Sequence, residues 1–284
     1  MNNQINRRQF LKSTTVLTAG LSATTAIGLS SAIKNEAKLP EACDDDFVSI
    51  FNGRNLDGWH INGASWKVEN GTIVCEQDPP GSGNGGVLLT DKKYSDFELI
   101  LDVKPEWGCD SGVFLRSAHN GDSYQVYVDY HDEPNNGGIS GFLYGQGTGA
   151  WRTEPFRHFG VFDNDGNLVD LEMRPFDLYP DLDENPDRYA CTMEQWRAAW
   201  KLNEYNELRI RCEGKYPIIT TWINGVMIGK FDAAANIHPR FDKERVYEQL
   251  GDQGHIGLQV HGGISWWAKG QKVYWKNIRI KELL

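Results

Sequence analysis

Residues 254–262 read G-H-I-G-L-Q-V-H-G and alternate between apolar and polar side chains. Side chains point to opposite sides along an extended chain, so this period of two predicts a β-strand. The apolar side suits a core, and the polar side carries His255, Gln259 and His261. Two imidazoles and an amide are unusual for plain solvation, so we expect the polar side to meet a ligand.

The same alternation recurs along the chain. Residues 96–103 alternate, and residues 218–223 are rich in β-branched side chains, followed by an Asn-Gly hairpin signal at 224–225. Helical periodicity is convincing only over residues 192–202. Many strands with tight turns and little helix predict an all-β fold, a sandwich or jelly roll.

The strand pattern breaks between residues 145 and 203, a stretch too long for an ordinary connection. We interpret it as a long insertion, either a functional lid or a decoration of the core fold. Its Asp-Asn-Asp-Gly run at 163–166 offers oxygen ligands for calcium. The spacing does not match a twelve-residue calcium loop, and a plain turn is the preferred interpretation.

The N-terminus resembles a twin-arginine export signal. Residues 6–12 read N-R-R-Q-F-L-K, and a mildly apolar run follows to about Ile33. We assign residues 1–37 to this signal and residues 44–284 to one domain, with no membrane span after signal removal. A chance Arg-Arg pair before a helix is the alternative. Export would make the protein periplasmic or secreted, where disulfides can form, although five cysteines is an odd number.

Composition narrows the class of partner. The formal net charge is −10, and residues 1–37 contribute more cations than anions, so the remaining chain is more acidic still. This balance argues against nucleic acid, which requires a basic surface. Ten Trp and eleven Tyr are many for 284 residues and suit a large core or stacking faces for sugar rings.

Two further segments carry polar faces of the same kind. Residues 110–116 read D-S-G-V-F-L-R, and residues 124–131 read Y-Q-V-Y-V-D-Y-H. Planar donors and acceptors of this kind fix hydroxyl and carbonyl groups in space. One sheet face is predicted to collect Asp110, Arg116, Gln125, Tyr127, Asp129, His131, His255, Gln259 and His261.

Alternatives remain for these residues. Arg116 could clamp a substrate or form a buried ion pair with Asp110 or Asp129, and Asp129 with His131 could bind a metal or act as a base and its orienting partner. The chain has no G-x-S-x-G, H-E-x-x-H or phosphate-binding loop. Serine hydrolase, zinc protease and nucleotide-dependent functions are therefore disfavoured.

A series of short motifs resembles the 3-keto-disaccharide hydrolase domain family. Residues 51–59, F-N-G-R-N-L-D-G-W, resemble its opening. Further matches follow in order at residues 66–71, 89–99, 110–116, 124–129, 141–145, 205–207, 222–225, 257–262 and 277–280. The resemblance implies a concanavalin-like jelly roll of two antiparallel sheets that acts on glycosides oxidised to a ketone at C3. Gln125, Tyr127 and Lys276 depart from the family pattern.

The chemistry of a 3-keto-glycoside suggests roles for these positions. The ketone acidifies the C2 proton, so a base can start β-elimination of the C1 substituent. We expect His261 or His131 to be the base, positioned by Asp129, and Arg116 to stabilise the enolate. A divalent metal ion, calcium or a transition metal, could assist Arg116, with ligands left open. The expected substrate-binding residues are Asp110, Gln125, Tyr127, Tyr144, Gln259, Trp66 and Trp151.

Three other functions compete with this hypothesis. A non-catalytic carbohydrate-binding module would use the same sheet to hold sugars without cleaving them. A retaining glycosidase would need two carboxylates about 5 Å apart and would cleave unoxidised substrates. A structural surface protein is disfavoured by three strands with chemically rich polar faces.

Overall fold

Antiparallel strands make up most of the structure, a computed structural model that describes residues 46–131, 138–176 and 189–283. The predicted signal segment lies outside the described residues. The strands are β1 Val48–Ser49, β2 Trp59–Gly63, β3 Ser65–Glu69, β4 Thr72–Glu76, β5 Gly86–Tyr94, β6 Phe97–Pro105, β7 Gly112–Ser117, β8 Ser123–Tyr127, β9 Leu143–Gln146, β10 Phe156–Phe162, β11 Leu168–Pro175, β12 Tyr189–Ala190, β13 Asn206–Glu213, β14 Ile218–Ile223, β15 Val226–Asp232, β16 Gly254–Val260 and β17 Val273–Glu282. The helices are α1 Met193–Ala199 and α2 Lys243–Leu250.

Two antiparallel sheets form the sandwich. The larger has the order β12-β15-β14-β13-β6-β17-β4-β3, with β1 added beside β17, and the smaller has the order β2-β5-β16-β7-β8-β9. Neighbours such as β6 and β17 are far apart in sequence, as expected for a jelly roll. The predicted all-β, jelly-roll class is therefore confirmed.

The core lies between the sheets because each strand turns its apolar side inward. In β6, Phe97, Leu99 and Leu101 are fully buried, as their alternation predicted. The hairpin from β14 to β15 turns at Asn224-Gly225, where both residues have positive φ angles of 47° and 83°. These angles match the mirror-image turn that an Asn-Gly pair favours in a tight hairpin.

The smaller sheet has a second face that points away from the core, which we call the concave face. Cross-strand neighbours place His60, Leu89, Gly257, Phe114, Gln125 and Tyr144 in one row across all six strands. Val87, Leu89 and Phe114 form an apolar cluster there, separate from the main core. Polar groups lie toward both ends of the row.

A β-bulge in β7 changes which side chains reach this face. His255 pairs with Ser117, and Gly257 pairs with Phe114. Strand β16 therefore advances by two residues where β7 advances by three. The extra residue gives Arg116 a positive φ of 49°. A one-residue slip exchanges the two faces of a strand, so Arg116 no longer shares a face with Phe114.

The region 145–203 is ordered in its described parts. Strands β10 and β11 form a separate two-stranded hairpin. Helix α1 begins after Thr192, whose side chain accepts from the Gln195 N–H in a capping box, and the helix falls within the predicted residues 192–202. The Asp163 carboxylate accepts from the Asn167 N–H at 2.8 Å, so the acidic run forms the turn of the hairpin.

Four cysteines lie in the described residues, and all are free and buried: Cys75, Cys109, Cys191 and Cys212. Burial raises the pKa of Cys75, Cys191 and Cys212 to about 12, which keeps these thiols protonated and unreactive. Cys43 lies outside the described residues. Within the described ranges, the structure has no helix that combines the length and apolar character of a membrane span.

Candidate active site

A pocket of about 240 Å³ opens on the concave face where β8 and β9 meet the segment after β16. Its lining combines carboxylates, an imidazole, a guanidinium, amides and phenols. The lining residues are Asp110, Gln125, Tyr127, Asp129, Gly138, Tyr144, Gln146, Arg152, His261 and Trp266. The three segments with polar faces in the sequence therefore converge on one pocket.

Two buried carboxyl groups form the floor of the pocket. Asp110 and Asp129 are 5% and 1% exposed. One ligand atom each from Asp110, Asp129 and His131 lies within 4.8 Å of the other two. The Gly138 N–H donates to Asp129 Oδ2 at 2.5 Å, while Asp129 Oδ1 is buried without a hydrogen-bond partner among the described residues. Close, buried carboxyls of this kind are costly to ionise together.

The environment separates the pKa values of the two carboxyls. Burial and the neighbouring charge of Asp110 raise the pKa of Asp129 well above its ordinary value. Burial also opposes ionisation of Asp110, but the nearby imidazoles of His261 and His131 more than offset it and lower the pKa of Asp110. The two shifts are opposite in direction, so Asp129 is the carboxyl of the pair that takes up a proton first as the pH falls.

Replacing Asp129 with asparagine should stabilise the metal-free fold while removing a carboxylate from the pocket. The raised pKa means that wild-type stability falls as the pH rises through it, whereas the amide is neutral throughout. We expect a gain of about 1 kcal/mol that grows with pH. Thermal unfolding in chelator, at several pH values, measures the effect. Asp252→Asn, an exposed change, is the control, and a lower unfolding temperature for Asp129→Asn would contradict the argument.

The carboxyl cluster suits a divalent metal ion. Three ligand atoms that already lie within 4.8 Å of one another need little rearrangement to share an ion. Two carboxylates and an imidazole suit ions such as Mn²⁺, Fe²⁺ or Zn²⁺ better than calcium, which prefers oxygen ligands alone.

Trp266 packs between the two imidazoles of the site. Its ring centre lies 5.3 Å from that of His261 and 5.9 Å from that of His131, the second contact being edge to face. His261 faces the pocket and is partly exposed, whereas His131 is buried behind Asp110, with Nε2 3.7 Å from Asp110 Oδ2. His261 is thus the imidazole that a bound molecule could touch.

Arg152 supplies the cation of the pocket. Its Nε lies 2.5 Å from Oε1 of the fully buried Glu154, and its guanidinium lies 5.7 Å from the centre of the Tyr127 ring. Burial alone would lower the pKa of Arg152, but Glu154, Tyr127 and Asp129 raise it above its ordinary value. A guanidinium held in this way stays charged and can stabilise a negative oxygen in the pocket.

The amides and phenols define the remaining wall. Gln125 donates from Nε2 to Oε1 of Gln259 at 2.9 Å, and both side chains are buried. The rings of Tyr127 and Tyr144 lie 5.5 Å apart. Burial raises the pKa of both phenols, so each remains a neutral hydroxyl that can donate or accept a hydrogen bond.

Comparison of the sequence with models of known protein families identifies the family of this chain. The model of the 3-keto-alpha-glucoside-1,2-lyase-like domain matches residues 46–281, which is most of the chain. The chain belongs to this 3-keto-alpha-glucoside-1,2-lyase-like family. The resemblance noted from the sequence motifs is thereby confirmed. The family is one of carbohydrate-related, glycoside-acting proteins, in agreement with the class expected from the sequence.

Individual proteins match this chain over a short stretch or at low sequence identity. A 3-keto-disaccharide hydrolase of Bacteroides thetaiotaomicron is 31% identical over 94 residues, which cover 30% of this chain and 32% of that relative. A candidate glycosyl hydrolase from Parabacteroides distasonis has 20% identity and a TM-score of 0.48, covering 84% of this chain and 99% of its own. A carbohydrate-binding module from Bacillus subtilis has 12% identity and a TM-score of 0.38, covering 79% of this chain and 96% of its own.

One residue that was expected in the active site of this lyase-like domain, Arg116, lies outside the pocket. Arg116 is fully buried, donates to Asp96 Oδ1 at 2.7 Å and to the Ser95 carbonyl at 3.0 Å, and does not line the pocket. The expectation that it shares a face with Asp110 is wrong because the β7 bulge turns it toward the core. Its ion-pair partner is Asp96 rather than Asp110 or Asp129.

The two tryptophans expected to stack on a sugar are core residues in this domain. Trp66 belongs to the main core and donates to the Gly63 carbonyl at 2.9 Å. Trp151 is fully buried and stacks on Phe231 with ring centres 4.7 Å apart. Both predictions are corrected, because the inward side of each segment carries the indole into the sandwich. Gln259 lies beside the lining, bonded to Gln125.

The sequence analysis missed four residues that line the pocket: Gly138, Gln146, Arg152 and Trp266. Arg152 and Gln146 lie in or beside the region where strand periodicity fails, so no facing argument could apply to them. Trp266 follows closely after His261 and its two glycines, and this closeness to a predicted site residue is the signal that could have identified it. The insertion thus contributes directly to the pocket.

Proposed function

We propose that this protein cleaves 3-keto-glycosides by removing the proton at C2 and eliminating the substituent at C1. One observation carries the proposal: His261, the carboxyls Asp110 and Asp129, and the cation Arg152 line a single small pocket on the concave face. A base beside a fixed positive charge is the arrangement that proton abstraction next to a ketone requires. Membership of the family supports the substrate class.

The reaction proceeds by deprotonation at C2 and then elimination at C1. His261 takes the C2 proton, and the electron pair moves onto the C3 oxygen as an enolate. The enolate then collapses to the ketone, a C1–C2 double bond forms, and the C1–O bond breaks. The departing oxygen takes a proton from the His261 imidazolium or from a pocket phenol such as Tyr127. Addition of water across the new double bond completes net hydrolysis.

The surroundings of His261 support its role as the base. The ring packs on Trp266, and its Nδ1 lies 2.5 Å from the Gly262 carbonyl, which fixes that nitrogen as the donor in the neutral ring. Nε2 is then the proton-accepting atom. The negative charge of Asp110 stabilises the imidazolium that forms.

Arg152 is the residue we assign to the enolate oxygen, in place of Arg116. Replacing it with glutamine should lower kcat/KM for a 3-keto-glucoside by roughly 10²–10³-fold, because one preformed donor to a developing oxyanion is lost. Arg174→Gln, at an exposed ion pair with Glu172, is the matched control and should retain activity. Equal activity of the two variants would exclude Arg152 from the reaction.

Asp110, Asp129 and His131 are the residues that would hold a divalent metal ion. Such an ion would act as a Lewis acid toward the ketone oxygen and strengthen the acidity of C2–H. Asp110, Asp129 and His131 would also keep the ketone oxygen near Arg152, which stays positively charged because Glu154 lies beside it. His131, buried behind the carboxyl groups, would orient them when no ion is bound.

The test of the proposed function mixes purified protein with 3-keto-trehalose or a 3-keto-β-glucoside and follows products by NMR. Release of 3-keto-glucose or of the 3-keto-glycal is the expected result, and loss of turnover in chelator would support a metal. Saturable sugar binding without any product would instead support a non-catalytic carbohydrate-binding module.

A retaining glycosidase is the second candidate, favoured by one distance. Asp110 and Asp129 lie within 4.8 Å of each other, close to the roughly 5 Å spacing of such enzymes. Both carboxyls are buried in one cluster, an arrangement that suits a nucleophile and an acid on opposite sides of a bond less well. Unoxidised trehalose or β-glucoside distinguishes the two, since only a glycosidase would cleave it.

We also propose that the protein acts after export to the periplasm or the exterior. The support is the N-R-R-Q-F-L-K sequence of residues 6–12 and the acidic remainder of the chain. Replacing both Arg7 and Arg8 with lysine should retain the protein in the cytoplasm, as cell fractionation would show.

A further inference from the structure

A buried glutamine, Gln77, binds the backbone of the segment that carries His261. It directly follows β4, it is 0% exposed, and it does not line the pocket. Its Nε2 group donates to the carbonyls of His261 and Gly263, both at 3.0 Å. Its Oε1 accepts from the Gly83 N–H at 3.0 Å. Both amide hydrogens and the amide oxygen of Gln77 therefore hold two chain segments against each other.

The loop before β5 is the second of these segments, and it contacts the peptide group that orients His261. The Gly263 N–H donates to the Gly83 carbonyl at 2.7 Å. This N–H belongs to the same planar peptide group as the Gly262 carbonyl, and in a trans peptide the two point in opposite directions. The bond to Gly83 therefore fixes the direction of the Gly262 carbonyl, which lies 2.5 Å from Nδ1 of His261.

The two segments pack too closely for a side chain to fit between them. A Cβ placed on Gly85 would lie 2.4 Å from the Gly262 nitrogen and 2.4 Å from the Val260 oxygen. Gly263 has a φ of 99°, in the left-handed region that favours glycine. The glycines of both segments thus permit the contact that Gln77 stabilises.

We propose that Gln77 is a positioning residue that sets the tautomer of His261. The tautomer of a neutral imidazole depends on the hydrogen bond that one of its nitrogens makes. By fixing Gly83, and through it the Gly262–Gly263 peptide group, Gln77 keeps a carbonyl at Nδ1. The proton then stays on Nδ1 and the lone pair on Nε2. For catalysis the inference rests on the proposed function, in which Nε2 takes the C2 proton, but the tautomer is a property of the protein without substrate.

This role differs from a contribution to stability alone. Loss of a buried amide that satisfies three backbone groups also destabilises the fold. Only displacement of the carbonyl from Nδ1 makes the second tautomer of His261 available, and molecules in that tautomer have no basic lone pair on Nε2. The tautomer and kcat therefore report on positioning, whereas the unfolding temperature reports on stability.

The first measurement is the tautomer of His261 in the chelator-treated wild-type protein, by NMR of the ring nitrogens at a pH where the imidazole is neutral. His261→Gln identifies the signal by its absence. We expect the proton on Nδ1. A proton on Nε2 of the wild type would overturn the proposal before any variant of Gln77 is made.

The second measurement compares wild type with Gln77→Met, which keeps the length of the side chain and removes all three hydrogen bonds. We expect a mixture of tautomers at His261 and a kcat for a 3-keto-glucoside lower by roughly 10–100-fold, with KM nearly unchanged. Gly85→Ala displaces the same segment without altering Gln77 and should act in the same way. Asp96→Ala is destabilised outside the pocket and should keep the wild-type tautomer and kcat at a temperature where it is folded.

An unchanged tautomer in both Gln77→Met and Gly85→Ala would overturn the proposal, and so would an unchanged kcat alongside a shifted tautomer. If the wild type cleaves no 3-keto-glucoside, the proposed function fails. A tautomer that shifts in Gln77→Met would in that case still support the role of Gln77 in orienting His261.

Discussion

Replacing His261 with alanine should lower kcat/KM for a 3-keto-β-glucoside by roughly 10²–10⁴-fold, the usual contribution of a general base. His261 is the imidazole that lines the pocket, and its ring is fixed by Trp266 and the Gly262 carbonyl. The measurement is steady-state formation of the eliminated product by NMR. An alanine variant with full eliminating activity would remove His261 from the mechanism.

Two matched changes make the result specific to the position of His261. His119→Ala deletes an exposed imidazole far from the pocket and should leave turnover unchanged. His261→Gln keeps hydrogen-bonding capacity without a basic nitrogen and should be nearly as inactive as alanine. A large recovery of activity in the glutamine variant would instead indicate that His261 only orients the substrate.

Replacing Asp96 with alanine should reduce the free energy of unfolding by about 3 kcal/mol, because it leaves the guanidinium of Arg116 buried without a counter-charge. Arg116 is 0% exposed and Asp96 36% exposed, so the loss falls at the low end of the range for buried pairs. Asp96 also accepts from the Gly214 N–H at 3.0 Å, and this contact is lost too. Urea unfolding followed by tryptophan fluorescence measures the change.

A second substitution separates the buried charge from the rest of the loss. Adding Arg116→Met to Asp96→Ala removes the unpaired cation and keeps an apolar side chain in the same space, so stability should be partly recovered. Asp252→Ala is the exposed control. If Asp96→Ala unfolds at the same urea concentration as this control, the Arg116–Asp96 ion pair does not contribute to the stability of the fold.

Alternation of apolar and polar residues was enough to predict the fold. Strand β6 and the β14–β15 hairpin follow directly from local patterns, which depend on neighbouring residues alone. The same rule placed Gln125, Tyr127 and Asp129 on one polar stretch that does line the pocket. A period of two is reliable while the strand stays regular.

The error at Arg116 comes from a departure from that regularity. The β7 bulge inverts the facing at Arg116, and a bulge is a relation between two strands that no single segment encodes. The predictions for Trp66 and Trp151 failed for a different reason, since an indole suits a core and a sugar site equally well. Arg152 reaches the pocket through an irregular segment, where only tertiary structure decides the direction of a side chain.

The contacts of helix α1 carry a consequence for any exchange of the insertion between proteins. Trp196 donates to the Ser140 carbonyl at 2.8 Å, and the Ser140 hydroxyl donates to the backbone carbonyl of Asp129 at 3.1 Å. Helix α1, which lies within the insertion, is thus linked through Ser140 to the backbone of a residue that carries a pocket carboxyl. A graft of residues 145–203 should therefore keep the contact between Trp196 and Ser140, because Ser140 bonds to the backbone of Asp129 beside the pocket.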